Sequence, residues 1–360
     1  MENVSIIIPT YNEAENIIPL IQEIESYIQP AKQVEIIVVD DNSPDDTYKI
    51  IQEYALAGNK SYIHTIKRTW NKGLSSAVIE GSSIAKFQNI AVMDGDGQHD
   101  PADLPNLFNK LVENELDLVI GSRFSSKKNT ASLSQRRNRM SSITNSFLAL
   151  VIRKSLTDPL SGFFILKSTL LKSNSKKLYK EGFKILFDVL MIERQLKVQE
   201  TQINFRKRNT GASKLNLATG LSLVGQILEN FTKRLFPASF FVFSFIGGLC
   251  VIVHLSLLYA ALNLSASYLA ANFVGTASAL ISNYFLNNYL TFNNIHKSIA
   301  ERVVGLTRYA LVNSLSLFAN IGIAAQLYSE NFSILFATFS GIFAGLVLNY
   351  LLSRNLVFKT

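Results

Sequence analysis

A long segment without charged side chains restricts the fold of this chain more than any other feature. It covers residues 235–296 and contains no Asp, Glu, Lys or Arg in 62 residues. That length is sufficient for two membrane spans of about 20 residues each and a turn. Two shorter uncharged segments follow, at 309–329 and 331–353. Because buried helices of soluble proteins are shorter and keep a polar face, the sequence predicts four transmembrane α-helices in two hairpins.

The positions of lysine and arginine residues predict how these segments are oriented. Lys233 and Arg234 precede the first span, and further cations lie between the second and third spans and after the fourth. The other two connections, near Ser265 and near Glu330, contain no lysine or arginine. By the positive-inside rule, connections that carry cations stay in the cytoplasm. We therefore expect a multi-pass protein of the cell membrane whose N-terminal region and C-terminus are cytoplasmic.

The membrane region contains an internal repeat. Residues 283–292 match residues 349–358 at five of ten positions, with an offset of 66 residues. This match predicts two duplicated helical hairpins in which Asn283 and Asn349 bond between helices. The single cysteine, Cys250, lies in the first predicted span, which argues against a disulfide framework or a cysteine-rich metal site.

The N-terminal part of the chain has the pattern of an α/β protein. Apolar runs alternate with segments of helical character, and these runs lie at 4–8, 34–39, 89–93 and 118–121. This alternation predicts a Rossmann-like, mainly parallel, doubly wound sheet. We expect three parts in the chain: a cytoplasmic domain at 1–214, an interfacial juxtamembrane helix at 215–235 and a four-helix transmembrane domain at 236–360.

Polar clusters at 9–13, 40–46 and 94–98 each follow an apolar run. In doubly wound sheets, ligands bind outside the carboxyl ends of the strands, where the strand order reverses. We therefore expect the three clusters to form one site. The chain has neither a Gly-x-Gly-x-x-Gly after its first apolar run nor a Walker-type lysine loop, which disfavours a dinucleotide oxidoreductase or a P-loop enzyme.

Two carboxylates, Asp94 and Asp96, lie one residue apart in the third cluster. Because Gly95 and Gly97 allow a tight turn, these carboxylates and the Gln98 amide can converge on one cation. Ligands that offer only oxygen favour Mg2+ or Mn2+ over zinc. The alternative is that the acidic and glycine residues only mark a turn between a strand and a helix.

The charge is divided unevenly along the cytoplasmic region. Residues 1–120 contain 8 Lys and Arg against 19 Asp and Glu, whereas residues 121–214 contain 20 against 5. The acidic part suits a metal ion, and the basic part suits phosphate groups or an anionic membrane surface. Nucleic acid is disfavoured as a partner, because the sequence has no recognisable nucleic-acid-binding motif.

Three motifs resemble glycosyltransferase family 2, which has the GT-A fold, and more narrowly the dolichyl-phosphate mannose synthases. They are Ile-Ile-Ile-Pro-Thr-Tyr-Asn-Glu at 6–13, Val-Val-Asp-Asp-Asn-Ser-Pro-Asp-Asp-Thr at 38–47 and Asp-Gly-Asp-Gly-Gln-His at 94–99. Further motifs continue the resemblance in the same order over about residues 4–215; they start at Gly73, Gly121, Asp158, Gly182 and Gly211. The duplicated hairpins resemble the GtrA-like domain that often follows these enzymes.

The resemblance implies roles for individual residues. The nucleoside part of a nucleotide-sugar donor would lie against Pro9, Tyr11, Glu13, Val39 and Asp41. The metal on the donor diphosphate would be bound by Asp94, Asp96 and Gln98, with Gly95 beside the donor. Glycine at 97 replaces the leucine that is common in the family, which leaves the rigidity of this loop and the sugar preference open.

Basic residues would surround the phosphates, again by resemblance. Arg123, Lys184, Arg208 and Lys214 would contact the donor, and Arg206 is an alternative to Arg208. The lipid phosphate would be bound by Arg123, Arg137 and Ser141, and the residues expected to act in catalysis are Asp96, Arg123 and Arg137.

These expectations describe an inverting, metal-dependent transfer of a hexose to a polyprenyl phosphate, either dolichyl or undecaprenyl phosphate. By resemblance the leading donor is GDP-mannose, and transfer from UDP-glucose is the alternative. A processive polysaccharide synthase is disfavoured, because the only tryptophan, Trp70, precedes the Asp-x-Asp region. A non-catalytic membrane scaffold or flippase partner remains as a reading from a different class of protein.

Overall fold

The computed structural model describes residues 3–27, 34–70, 72–124, 148, 151–152, 154–178, 184–206, 217–232, 234–292 and 298–358. The chain divides into two compact units, Met1–Lys214 and Leu215–Thr360. Each unit is built around its own buried core.

The first unit contains a mixed sheet with seven strands in its described residues. The strands are β1 (Val4–Thr10), β2 (Val34–Asp40), β3 (Ile63–Lys67), β4 (Asn89–Val92), β5 (Leu118–Ser122), β6 (Phe164–Lys167) and β7 (Val198–Gln202). Their order in the sheet is β3-β2-β1-β4-β6-β5-β7. Only β6 is antiparallel to its neighbours in this order, so the predicted mainly parallel sheet is confirmed.

Helices connect and cover these strands. They are α1 (Ala14–Tyr27), α2 (Thr47–Ala57), α3 (Leu74–Ile84), α4 (Leu104–Glu113) after a 3-10 turn at Pro101–Asp103, α5 (Ser168–Lys172) and α6 (Ile185–Ile192). Every residue of β1 and β2 is buried, as expected for apolar strands with helices on both faces.

The strand order reverses beside β1. This strand pairs with β2 on one side and with β4 on the other. The chain runs from β1 through β2 to β3 on one side and then returns to the other side of β1 with β4. The carboxyl ends of β1 and β4 therefore form the switch point at which open α/β sheets bind ligands. The cluster at 9–13 begins in the last two residues of β1, and the cluster at 94–98 begins one residue beyond the end of β4, after Met93.

The direction of β6 adds a fourth segment to this edge. Because β6 is antiparallel, it begins opposite the end of β4, with Phe164 in register with Val92. The residues that precede β6, including Ser161 and Gly162, consequently lie beside the loop that follows β4.

The second unit consists of long helices. They are α7 (Leu217–Phe231), α8 (Ala238–Asn263), α9 (Tyr268–Leu286), α10 (Ile299–Ser329) and α11 (Ile334–Leu352), and π-helical turns follow α9 and α11 at Asn287–Thr291 and Ser353–Val357. Among the described residues, α8 and α10 are long and apolar enough to cross a membrane. The four predicted spans correspond to α8 to α11, and membrane crossing by α9 and α11 stays a prediction.

The sequence repeat is also a structural repeat. The equivalent rings of Phe292 and Phe358 stack on each other with centroids 4.5 Å apart. Tyr350 shares a hydrogen bond of 2.7 Å with Ser239, and its equivalent, Tyr284, packs against Gly305, which lies 66 residues after Ser239. Each hairpin therefore contacts the other through equivalent residues.

The predicted amide contacts between helices are confirmed at one of the two positions. Asn349 donates a hydrogen bond of 3.0 Å to Asn313, on the neighbouring helix α10. Asn283 instead accepts a bond of 2.6 Å from Asn287, one turn later in the same chain segment. The π-helical turn that begins at Asn287 places this amide within reach of Asn283.

Candidate active site

The residues assigned to the nucleoside lie together at the ends of β1 and β2. Pro9 and Val39 are register partners in these neighbouring strands. Tyr11 follows β1 and is 42% exposed, whereas Glu13 is buried and its backbone N–H donates to Thr47 Oγ1 at 3.1 Å. At the carboxyl ends of these two strands, the exposed ring of Tyr11 therefore lies beside a backbone segment that is held by a hydrogen bond.

Asp41, the fifth of these residues, is held by a buried arginine. Arg68 Nε donates to Asp41 Oδ1 at 2.7 Å, and the Gly73 N–H donates to Asp41 Oδ2 at 2.7 Å. Burial raises the pKa of Asp41, although the Gly73 hydrogen bond and the Arg68 charge oppose this rise. Sequence reasoning missed Arg68; its position directly after β3, at the same edge of the sheet, was the available signal.

Two other aspartates of this cluster hold its backbone. Asp40 accepts the N–H of Ser43 at 2.9 Å. Asp45 accepts the N–H of Ala14, the first residue of α1, at 3.0 Å. These are turn and capping contacts, so Asp40 and Asp45 stabilise the loops that shape the edge.

The loop after β4 presents the two paired carboxylates. The Asp94 side chain is 31% exposed, but its Oδ1 atom is buried and has no hydrogen-bond partner among the described residues. Asp96 Oδ1 accepts the Gln98 N–H at 3.2 Å. Gly97 has a φ of +71°, a left-handed conformation that glycine adopts without strain and that turns the loop back.

This loop fits the divalent metal that the resemblance implies. A buried carboxylate oxygen without a partner is costly unless a ligand satisfies it. In the described part of the chain, no group of three or more His, Cys, Asp or Glu side chains is placed to hold a metal, so the protein would supply only part of the coordination. Two carboxylates and an amide leave the remaining coordination positions of Mg2+ to a substrate diphosphate and water, which is common for this ion.

His99 contacts the Asp94 carboxylate. It is buried, its Nε2 lies 3.5 Å from Asp94 Oδ2, and its ring packs between Phe163 and Phe205 at 5.3 Å from each. Burial raises the pKa of Asp94, but the His99 contact and the positive charges of Lys184 and Arg123 outweigh it and lower that pKa. Asp94 is therefore ionised at neutral pH.

The backbone at Gly162 lies close to the same carboxylate, on the side of β6. A Cβ atom at this position would overlap the carboxylate of Asp94. Only glycine allows the backbone before β6 to approach this closely. The close approach follows from the antiparallel direction of β6.

Two basic residues lie near the loop at 93–100, named the metal loop after the ion that it is expected to hold. Arg123 forms a paired contact with the buried Asp158, from Nε at 2.7 Å and from Nη2 at 2.8 Å. Asp158 is positioned in turn by Glu200, which accepts its N–H at 2.8 Å. Lys184 Nζ donates to the Leu160 carbonyl at 3.0 Å. Burial and the nearby charge of Arg123 lower the pKa of Lys184.

Arg206 lies at the other side of the metal loop. It pairs with Glu23 of α1 at 2.7 Å and with Asp100 at 2.7 Å. Arg137, Ser141, Arg208 and Lys214 lie outside the described residues, so their proposed contacts stay predictions from the sequence.

Comparisons with known proteins agree with this architecture. Residues 5–174 match the family described as "Glycosyl transferase family 2", and residues 242–358 match "GtrA/DPMS, transmembrane domain". The dolichol-phosphate mannosyltransferase of Pyrococcus furiosus is 32% identical over 360 residues, which cover 99% of each chain. The enzyme of the same name from Saccharomyces cerevisiae is 33% identical over 62% of this chain and 85% of its own.

A solved structure shows the same fold at much lower sequence similarity. Glucosyl-3-phosphoglycerate synthase from Mycobacterium tuberculosis, crystallised with Mn2+, UDP-glucose and phosphoglyceric acid, has a TM-score of 0.50 and 18% identity. The match covers 64% of this chain and 79% of the other. Given the family matches and the full-length similarity, the chain belongs to glycosyltransferase family 2, in the group of dolichol-phosphate mannosyltransferases that carry a GtrA-like membrane domain.

Proposed function

We propose that this glycosyltransferase transfers mannose from GDP-mannose to a polyprenyl phosphate, with inversion at the anomeric carbon, on the cytoplasmic face of the membrane. The full-length similarity to the Pyrococcus furiosus enzyme supports the sugar and the class of acceptor. The match to a transmembrane domain supports an acceptor that resides in the lipid bilayer.

One observation carries the chemistry: the buried Asp94 Oδ1 without a partner in the described residues, at the switch point of the sheet. Asp94, Asp96 and Gln98 would hold Mg2+ or Mn2+ there. A bound divalent ion supplies Lewis-acid stabilisation of the negative charge on the departing nucleoside diphosphate.

The chain itself positions the donor. Its nucleoside would lie along the ends of β1 and β2, against Pro9, Tyr11, Glu13, Val39 and Asp41. Its diphosphate would then extend across β1 towards the loop after β4. Lys184 lies near Asp94 and Arg123, and it adds positive charge beside the diphosphate.

The acceptor requires positioning more than activation. A lipid phosphate is already anionic at neutral pH, so no strong general base is needed to generate the nucleophile. We infer that Arg123, Arg137 and Ser141 hold this phosphate in line with the bond that breaks. A single displacement of this kind inverts the configuration of the anomeric carbon.

The replacement Asp96→Asn tests the proposal, because it keeps the size of the side chain and removes its charge. Transfer of labelled mannose to dolichyl or undecaprenyl phosphate should fall by about 100- to 1,000-fold, the usual effect of removing one preorganised charge-stabilising group. Glu53→Gln, an exposed change on α2, is the matched control. Full activity of Asp96→Asn, or activity of the wild type after removal of all divalent metal, would contradict the proposed site.

A further inference from the structure

A four-residue segment connects the edge of the sheet to the metal loop. It follows β7, which lies three strands away from β4 in the sheet, a distance of about 14 Å at the usual strand spacing. The Ile203 N–H donates to the Ser122 carbonyl at 3.3 Å, and the Arg206 N–H donates to the Gln98 carbonyl at 2.8 Å. Residues 203–206 therefore cross the carboxyl end of the sheet and pair with the loop that carries Asp94 and Asp96.

The pairing is reciprocal and includes side chains. The Gln98 side-chain amide donates back to the Arg206 carbonyl at 3.3 Å, and Phe205 forms an antiparallel bridge with His99. The Phe205 ring also packs on His99, with centroids 5.3 Å apart. The backbone of 205–206 thus sets the position of Gln98 and of the histidine that contacts Asp94.

Arg206 fastens this pairing with two ion pairs. Its Nη1 lies 2.7 Å from Glu23 Oε2, and its Nη2 lies 2.7 Å from Asp100 Oδ1. Asp100 also accepts the Ala102 N–H at 3.0 Å and so ends the metal loop at the 3-10 turn. The rigid, forked guanidinium suits this bridge between two carboxylates, which a single ammonium group cannot reproduce.

We propose that Arg206 is a positioning residue that holds Gln98 and Asp100, and through them the metal loop, against α1. This inference rests on the proposed function. It gives Arg206 a task different from the direct contact with the donor diphosphate that the sequence suggests. Glu23 is the decisive partner, because a carboxylate on α1 cannot itself attract a diphosphate.

A double-mutant cycle of Arg206→Gln and Glu23→Gln tests the proposal. Mn2+ binding in the presence of GDP is measured by electron paramagnetic resonance, alongside the Mn2+ concentration for half-maximal transfer. Arg206→Gln should weaken Mn2+ binding by about 10-fold, the lower end of the usual effect of removing a group that orients a metal ligand. Glu23→Gln should weaken it by about 3-fold, because both side chains of this ion pair are partly exposed. The double variant should bind Mn2+ no more weakly than Arg206→Gln alone, because Arg206→Gln already removes the contact with Glu23.

Control variants and the remaining outcomes distinguish a positioning role of Arg206 from direct contact with the donor. Arg206→Lys should rescue Mn2+ binding only in part, and Glu53→Gln should bind like the wild type. If Arg206→Gln is defective while Glu23→Gln binds Mn2+ normally, the contact with α1 does not position the loop and the proposal is wrong. It is also wrong if both variants bind Mn2+ normally, or if they lose only thermal stability. Absence of transfer by the wild type would instead contradict the proposed function, while its Mn2+ and GDP binding would still be measurable.

Discussion

At the scale of single residues, Lys184 links the electrostatics of the site to a measurable pH dependence. Burial, followed by the neighbouring charge of Arg123, lowers its pKa below the ordinary lysine value of about 10.4. The protonated, phosphate-attracting form is therefore present below that lowered pKa and is lost as the pH rises through it. Arginine at this position stays protonated.

The expected result is a shift of the alkaline limb of the pH profile. kcat/KM for the donor should decline at a lower pH in the wild type than in Lys184→Arg, whose maximal activity is reduced by the altered geometry. Profiles of both proteins measured over about pH 6 to 10 report the free enzyme. Superimposable alkaline limbs would show that Lys184 is not the group that titrates.

Residue types and spacing indicate where this site lies, and the ligand roles of its residues stay predictions. Asp94, Asp96 and Gln98 follow an apolar strand in a pattern that indicates oxygen ligands, and Asp94 Oδ1 is buried without a partner among the described residues. Arg68 and Asp158 were not assigned roles, because their importance arises from their ion-pair partners Asp41 and Arg123. Contacts of this kind join segments that are distant in sequence, and no local pattern encodes them.

At the scale of elements, β6 shows why strand direction matters more than strand position. Its apolar run predicts a strand in either direction, since parallel and antiparallel strands share the same side-chain period. The direction is decided by pairing with β4 and β5. Only the antiparallel arrangement brings Gly162 to the carboxylate of Asp94.

Gly162→Ala should therefore displace the Asp94 carboxylate while the sheet persists. We expect a loss of transfer of about 100-fold, the effect typical of a shift of about 1 Å in a catalytic group, with weakened Mn2+ binding. Gly322→Ala is the control, because a Cβ atom there meets nothing within 4 Å. Normal Mn2+ binding by Gly162→Ala would show that the site tolerates the added methyl group.

At the scale of the whole molecule, the uncharged segments predicted the membrane part, and the family match supports that prediction. The hairpin repeat was visible at five of ten positions, yet the stacking of Phe292 on Phe358 was not. Such a contact depends on how two helices associate, and the sequence period of each helix does not determine it.

The proposed orientation predicts which connections face the outside. Leu264, between α8 and α9, and Ile299, the first residue of α10, are similarly exposed in the second unit. With Cys250 replaced by alanine, a membrane-impermeant maleimide should label Leu264→Cys in intact cells. It should label Ile299→Cys only after the membrane is permeabilised. The reverse pattern, or equal labelling of both variants, would contradict the four-span cytoplasmic arrangement.

The proposed mannosyl transfer is tested most directly when the purified protein is given two donors at once. GDP-mannose and UDP-glucose, carrying different radioisotopes, are incubated at equal concentration with undecaprenyl or dolichyl phosphate and Mn2+. The radioactivity in the extracted lipid is then counted for each isotope. We predict that nearly all of it derives from mannose and that none appears when the lipid phosphate is omitted. Preferential incorporation of glucose, or incorporation of neither sugar, would contradict the proposed mannosyl transfer.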